Sequence, residues 1–164
     1  MISPEYCQTL AQYNTWMNDK IYKACETLSE EEFKADKGLF FKSLHLSLNH
    51  IMYGDLALIS RVNGNWNTSP SLGKVLHDNF EDLYQARKQL DLDILAWANQ
   101  LTIEFLAQDL TYSSKVDSIT RTIPHWLYLT HLFNHQTHHR GQISTTLHQM
   151  GFDIGATDLP VMYA

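Results

Sequence analysis

Apolar residues recur every three or four positions through most of the chain, the spacing of a single helix face. Ser3-Pro4-Glu5 predicts the first helix start, with serine as cap, proline at the first helical position and an acid in the first turn. From there Tyr6, Leu10, Tyr13, Met17, Ile21, Ala24 and Leu28 form one stripe. Ser29-Glu30-Glu31-Glu32 offers a capping box for a short second segment, which Asp36-Lys37-Gly38 breaks. A second long helix is expected from about Phe41 to Val62, with Leu44, Leu48, Ile51, Leu58 and Val62 in one stripe that Asp55 interrupts.

Residues 63–73 are dense in turn formers and read as a surface loop. The third long helix carries Leu76, Phe80, Leu83, Leu90, Ile94, Trp97 and Leu101 at a near-heptad spacing, with Arg87 the polar member. Such a period suits helices packed close to parallel or antiparallel. Between Leu110 and Ile123 threonine, tyrosine, serine, valine and isoleucine replace the helix formers. That stretch predicts a short β-hairpin or irregular segment, with Asp117-Ser118 at the turn. Pro124 then opens a fourth long helix that runs to Met150, and Gly151 stops it. Residues 152–164 read as irregular. The pattern is that of an all-α four-helix bundle, a single domain over residues 1–164.

Composition narrows the function classes. With 164 residues, 44% of them apolar and 18% charged, the chain is neither disordered nor fibrous. A formal charge of −6, with no local Lys/Arg cluster to offset it, would repel a phosphate backbone, so no nucleic-acid partner is expected. No run approaches the ~20 apolar residues of a membrane span, and the first residues lack the basic-then-apolar pattern of a secretory leader. The expected setting is cytoplasmic. Cys7 and Cys25 lie too far apart on one helix to bridge and read as reduced, structural thiols.

The unusual feature is histidine. Six of the nine (His125, His131, His135, His138, His139, His148) fall within 24 residues. His135 and His139 are four apart, so both imidazoles can reach one point beside the helix, as a divalent metal requires. His131 adds a further step of four. Leu129, Leu132, Ile143 and Leu147 give the same helix a buried side, and desolvation there favours the neutral imidazole that ligates metal. A third ligand then comes from another helix. His50 is the leading candidate because it shares a face with Leu46, Tyr53 and Ala57, and His45 is its rival. His77, His125 and His148 have no supporting pattern and are expected at the surface.

These residues carry a resemblance. Leu48-Asn49-His50-Ile51 and the run from Asn134 to Gln142 (Asn-His-Gln-Thr-His-His-Arg-Gly-Gln) resemble the fingerprint of the DinB/YfiT-like family of metal-dependent enzymes. Tyr13-Asn14-Thr15-Trp16-Met17-Asn18 is similar to that family's first-helix pattern. The similarity spans about residues 6–150. It implies a four-helix bundle in which His50, His135 and His139 bind one divalent ion, zinc or nickel, commonly in a homodimer. His131 and Asp55 do not carry over as ligands and are expected beside them, orienting an imidazole. Gly141 costs roughly 1 kcal/mol of helix propensity against alanine, for which a close backbone approach is the expected reason.

Three protein ligands leave a metal position open, as in catalytic zinc sites. Relatives within the resemblance include thiol-dependent S-transferases and a thiol-dependent isomerase. The leading expectation is therefore an enzyme that activates a low-molecular-weight thiol for transfer to a small electrophile. Tyr128, Trp126 and Trp16 are the candidates for lining its pocket. One alternative is hydrolysis through a bound hydroxide, for which Asp55 and His131 are the available acid or base groups. The other is a non-catalytic metal-binding or interaction module.

Overall fold

A computed structural model describes residues 1–64, 73–114 and 117–163. Four long helices make the bundle: α1 (Pro4–Cys25), α3 (Leu44–Val62), α4 (Phe80–Ala98) and α6 (His125–Gln149). Two single-turn helices, α2 (Glu30–Lys34) and α5 (Ile103–Ala107), fill the connections, and a 3-10 turn (Leu159–Tyr163) lies against α1. The antiparallel hairpin β1 (Asp109–Ser113) and β2 (Thr120–Pro124) precedes α6, with Leu110 opposite Ile123 and Tyr112 opposite Arg121. No described helix is long and apolar enough to cross a membrane.

The caps fall where the short polar side chains predict them. Ser3 accepts from the Tyr6 amide, and Ser29 and Glu32 close a reciprocal capping box. Gly151, at φ 90°, supplies the left-handed stop after α6. Pro124 ends β2 and stands at the N-cap of α6, so the hairpin feeds straight into the histidine-bearing helix. At the hairpin's tip, Ser118 takes φ 60° and donates its amide to the Ser114 carbonyl. The expected surface loop falls almost wholly on residues outside those described.

Three helix expectations need correction. The buried stripe of α1 runs through Cys7, Ala11, Asn14, Asn18, Ile21 and Cys25, so the helix is rotated and Tyr6 is exposed. Two asparagines belong to that stripe, which a hydrophobicity count passes over. The second long helix starts at Leu44, capped by Ser43, and not at Phe41. Ahead of it a tight turn pairs Leu39 with Lys42, and Lys42 sits at φ 69°, outside the helical region. The third long helix starts at Phe80, capped by Asn79. Leu76 and His77 are withheld from it because the buried Asn49 side chain accepts both their amides (2.8 and 3.0 Å).

Helix α1 packs on α4 and α6, and α3 packs on α6 and, over a smaller contact, on α4. The core is apolar, from Ile21, Leu44 and Leu83 to Leu132 and Leu147. One buried polar network crosses it and touches all four long helices. Arg87 on α4 pairs with Asp55 of α3 (2.6 Å) and with Asp91 (2.8 Å). Asn18 of α1 donates to both oxygens of Asp91 (2.9 and 3.2 Å), and Gln136 of α6 donates to Asp55 (2.5 Å). Burial works against the Arg87 charge, but Asp55 and Asp91 outweigh it and raise its pKa.

Candidate metal centre

Helices α3 and α6 run antiparallel along one face of the bundle, as their contacts require. Near the start of α3 His50 meets His135 and His139, and at its end Arg61 meets Tyr128, so rising numbers on α3 match falling numbers on α6. At one end of this seam the ring nitrogens of His50, His135 and His139 lie within 4.8 Å of one another, one per residue. His50 Nε2 and His135 Nε2 are 3.1 Å apart. Two nitrogens on a tetrahedral zinc with bonds of about 2.0–2.1 Å would stand about 3.4 Å apart.

The surroundings hold these imidazoles neutral. Burial, with the neighbouring His139 adding to it, lowers the His50 pKa to about 4. Burial and the surrounding histidines lower His135 to about 3. His139 is lowered too, chiefly by burial, although its hydrogen bond to Gln142 opposes this. Unprotonated rings are the ligating form. His135 Nδ1 is buried with no hydrogen-bond partner among the described residues. The nitrogen that His135 turns toward His50 is the other one, Nε2, and a converging set of unprotonated imidazole nitrogens fits a divalent transition metal.

Three further residues hold the cluster. Gln142 Oε1 takes His139 Nδ1 at 2.9 Å, which fixes the ring and leaves Nε2 to face the other imidazoles. Phe41 stacks on His50, centroids 3.8 Å apart, and meets His139 edge-on at 5.5 Å. The Leu39–Lys42 turn is what brings it there. Gly54 is the third. A Cβ at that position would stand 2.5 Å from His135 Cε1, so only glycine leaves room for the ring. The hydrophobic pattern held no sign of these roles. A glycine in the interior of α3 was the available signal for the last.

The other candidates separate. Asp55 does not orient an imidazole: one oxygen takes Arg87 and the other takes Gln136, so it acts on the neighbouring α6 residue instead. His131 stands in the cleft beside the cluster, its ring 6.0 Å from that of His135. His45 is elsewhere, its Nε2 on the His77 carbonyl at 2.9 Å and its ring edge-on to Phe33. His148 is exposed and His77 half-buried, but His125 is buried, its Nδ1 on the Phe105 carbonyl at 3.0 Å, where it ties α5 to α6. Gly141 has nothing within 4 Å of its would-be Cβ, so no close approach explains it.

A cleft of about 680 Å³ opens from the histidines along the α3–α6 seam. Tyr128 lines it; Trp126 and Trp16 do not. Trp16 lies beside Tyr13 with the Lys20 ammonium 4.2 Å above its ring. Both cysteines are buried and free, and desolvation raises Cys7 to about 11 and Cys25 to about 12, so neither supplies a thiolate.

The DinB family model matches residues 1–163. The chain belongs to the DinB family. Among curated proteins it is 27% identical to Protein DinB of Bacillus subtilis (strain 168) over 161 residues, covering 94% of this chain and 91% of the relative. The match takes in the motifs on α1, α3 and α6 through which the sequence resembles the family. Within this DinB-family chain the motif residues divide by task. His50, His135 and His139 converge, while Asn49 straps the segment before α4 to α3.

Proposed function

We propose that this DinB-family chain is a metal-dependent enzyme that activates a small thiol for transfer to an electrophile. His50, His135 and His139 would hold one divalent ion, zinc or nickel. The observation that supports this best is that the three convergent imidazoles stand at the end of a mostly apolar cleft of about 680 Å³, room for two small reactants. A divalent ion bound there supplies Lewis acidity, enough to keep a thiol deprotonated near neutral pH.

The protein's own residues do the rest. Gln142 and Gly54 hold the His139 and His135 rings in place, and Phe41 covers His50. The thiol must come with a substrate, since Cys7 and Cys25 are buried and held protonated. The thiol reading is favoured over hydrolysis because Asp55, one of its two candidate bases, has both oxygens engaged by Arg87 and Gln136. The homodimer implied by the resemblance belongs to the same proposal, as does a partner that is a small molecule.

Elemental mass spectrometry tests the reading. About one ion per chain is expected in the wild-type protein and none in His50→Ala, His135→Ala or His139→Ala. Thiol consumption in the presence of an electrophile is then expected to stop on chelation. A wild-type protein that stays empty when offered zinc or nickel overturns it.

A further inference from the structure

The cleft has two unlike ends. Along α3 the eleven steps from His50 to Arg61 climb about 16 Å, so the histidines and the Arg61 guanidinium face the cleft from opposite limits. Two aromatic residues among the described ones help to hold Arg61 there. Its Nη1 donates to the Tyr128 hydroxyl at 3.1 Å, and its guanidinium carbon lies 5.5 Å from the centre of the Tyr112 ring. Both rings line the cleft, and they contact each other edge-to-face at 5.0 Å. Between the ends the floor is small and apolar, at Gly54, Ala57 and Leu58.

The charge distribution is lopsided. The chain carries a formal charge of −6, yet none of the described residues lining this cleft is a carboxylate. Among the described lining residues the fixed charge is the Arg61 cation. A cationic fork set on low-dielectric aromatic walls, in an otherwise acidic protein, favours an anion.

We infer that the Arg61 end of the cleft seats the anionic group of the substrate, which is elongated, apolar in its middle and ends in a carboxylate or phosphate. This rests on the reading of the histidine end as the place of chemistry and adds what the reacting molecule looks like. Arg61 then acts as a specificity-determining residue. It accepts molecules long enough to reach the histidines while their charged end stays on the guanidinium.

Calorimetric titration of the full chain with octanoate, octyl phosphate and octanamide tests it. Both anions are expected to bind the wild-type protein at least ~10-fold more tightly than the amide. The tighter of the two identifies the anion chemistry the seat prefers. Arg61→Gln is expected to bring the anions down to the affinity of the amide, while Arg61→Lys keeps a reduced preference. Wild-type protein that binds neither anion better than the amide overturns the inference without any variant. So does a preference that survives in Arg61→Gln. The outcome separates from that of the metal reading: His135→Ala is expected to lose the ion and keep the anion preference.

Discussion

Two polar clusters are buried in this bundle, joined where Gln136 follows His135, and they solve the cost of burial in opposite ways. In the Asp55–Arg87–Asp91 network each charge faces its opposite, and the side-chain amides of Asn18 and Gln136 supply further hydrogen bonds. Such a set ties four helices together through opposite charges, although Arg87 Nε and Gln136 Oε1 have no hydrogen-bond partner among the described residues. In the histidine cluster like groups face like groups. Three basic rings point at one another, two of them with pKa values depressed to about 4 and about 3, and His135 Nδ1 has no partner among the described residues. What the fold gains from these rings is the His50–His135 contact, the Gln142 hydrogen bond and the Phe41 stacking, with no opposite charge among them. The contrast marks the first cluster as architecture and the second as a site.

The contrast is tested most severely at Arg87. Arg87→Leu leaves Asp55 and Asp91 buried without their cation, and removing one partner of a buried pair costs about 3–5 kcal/mol. Urea unfolding is expected to show that loss in stability. A loss below about 1 kcal/mol would mean that the network is not what holds the helices. His135→Ala is expected to be far milder in the metal-free protein, because it removes a half-buried neutral ring and leaves no charge without its partner.

Gly54 sharpens the other half. In Gly54→Ala the new methyl group meets the His135 ring at 2.5 Å and must turn it out of the cluster. Metal affinity, followed by competition with a chromophoric chelator, is expected to fall about 100-fold. Stability is expected to change little, since alanine recovers roughly 1 kcal/mol of helix propensity that the displaced ring gives back. Equal metal affinity in the two proteins would show that His135 does not need its present seat.

Protons distinguish the clusters as well. His50 and His135 titrate near 6.5 in an unfolded chain but at about 4 and about 3 in the fold. Between those limits the unfolded state binds more protons, so the stability of the metal-free protein falls as pH is lowered from 6.5. Above pH 6.5 these groups are neutral in both states and add no slope. Urea midpoints measured in chelator from pH 7.5 to 4.5 are expected to fall, and to fall less in a His50→Gln, His135→Gln double variant. Parallel curves would remove the histidines from the acid sensitivity.

What could be read from the sequence was what one helix decides by itself. The spacing of His135 and His139 puts two rings on one face whatever surrounds them, and Ser3, Ser29 and Pro124 mark helix starts through local chemistry. The hairpin too was legible, from β-branched residues and a turn pair. Misreadings came where a second element intervenes. Asn49 takes Leu76 and His77 out of the third long helix, and Asn18 turns the buried face of α1 toward Asp91. Asp55 looked like a site residue because an acid on an apolar stripe needs a reason, and the reason is Arg87 on another helix. His125 lacked a pattern because its partner is a backbone carbonyl of α5.

The smallest effect is expected at the second helix-interior glycine. Gly141 lies in the turn that carries His139 and Gln142, yet a Cβ there has nothing within 4 Å, whereas at Gly54 it has the His135 ring. Nothing in the packing demands glycine at 141, so Gly141→Ala is expected to stabilise the protein by up to about 1 kcal/mol. Metal affinity is expected to stay unchanged, because the side chain that orients His139 is that of Gln142. Thermal melting and metal competition on the same variant check both points. A stabilised protein that keeps its metal but loses turnover would make the bare surface at Gly141, which borders a second groove with Phe40 and His138, part of where a reactant lies. Unchanged turnover would confine the function to the cleft on the Gly54 side.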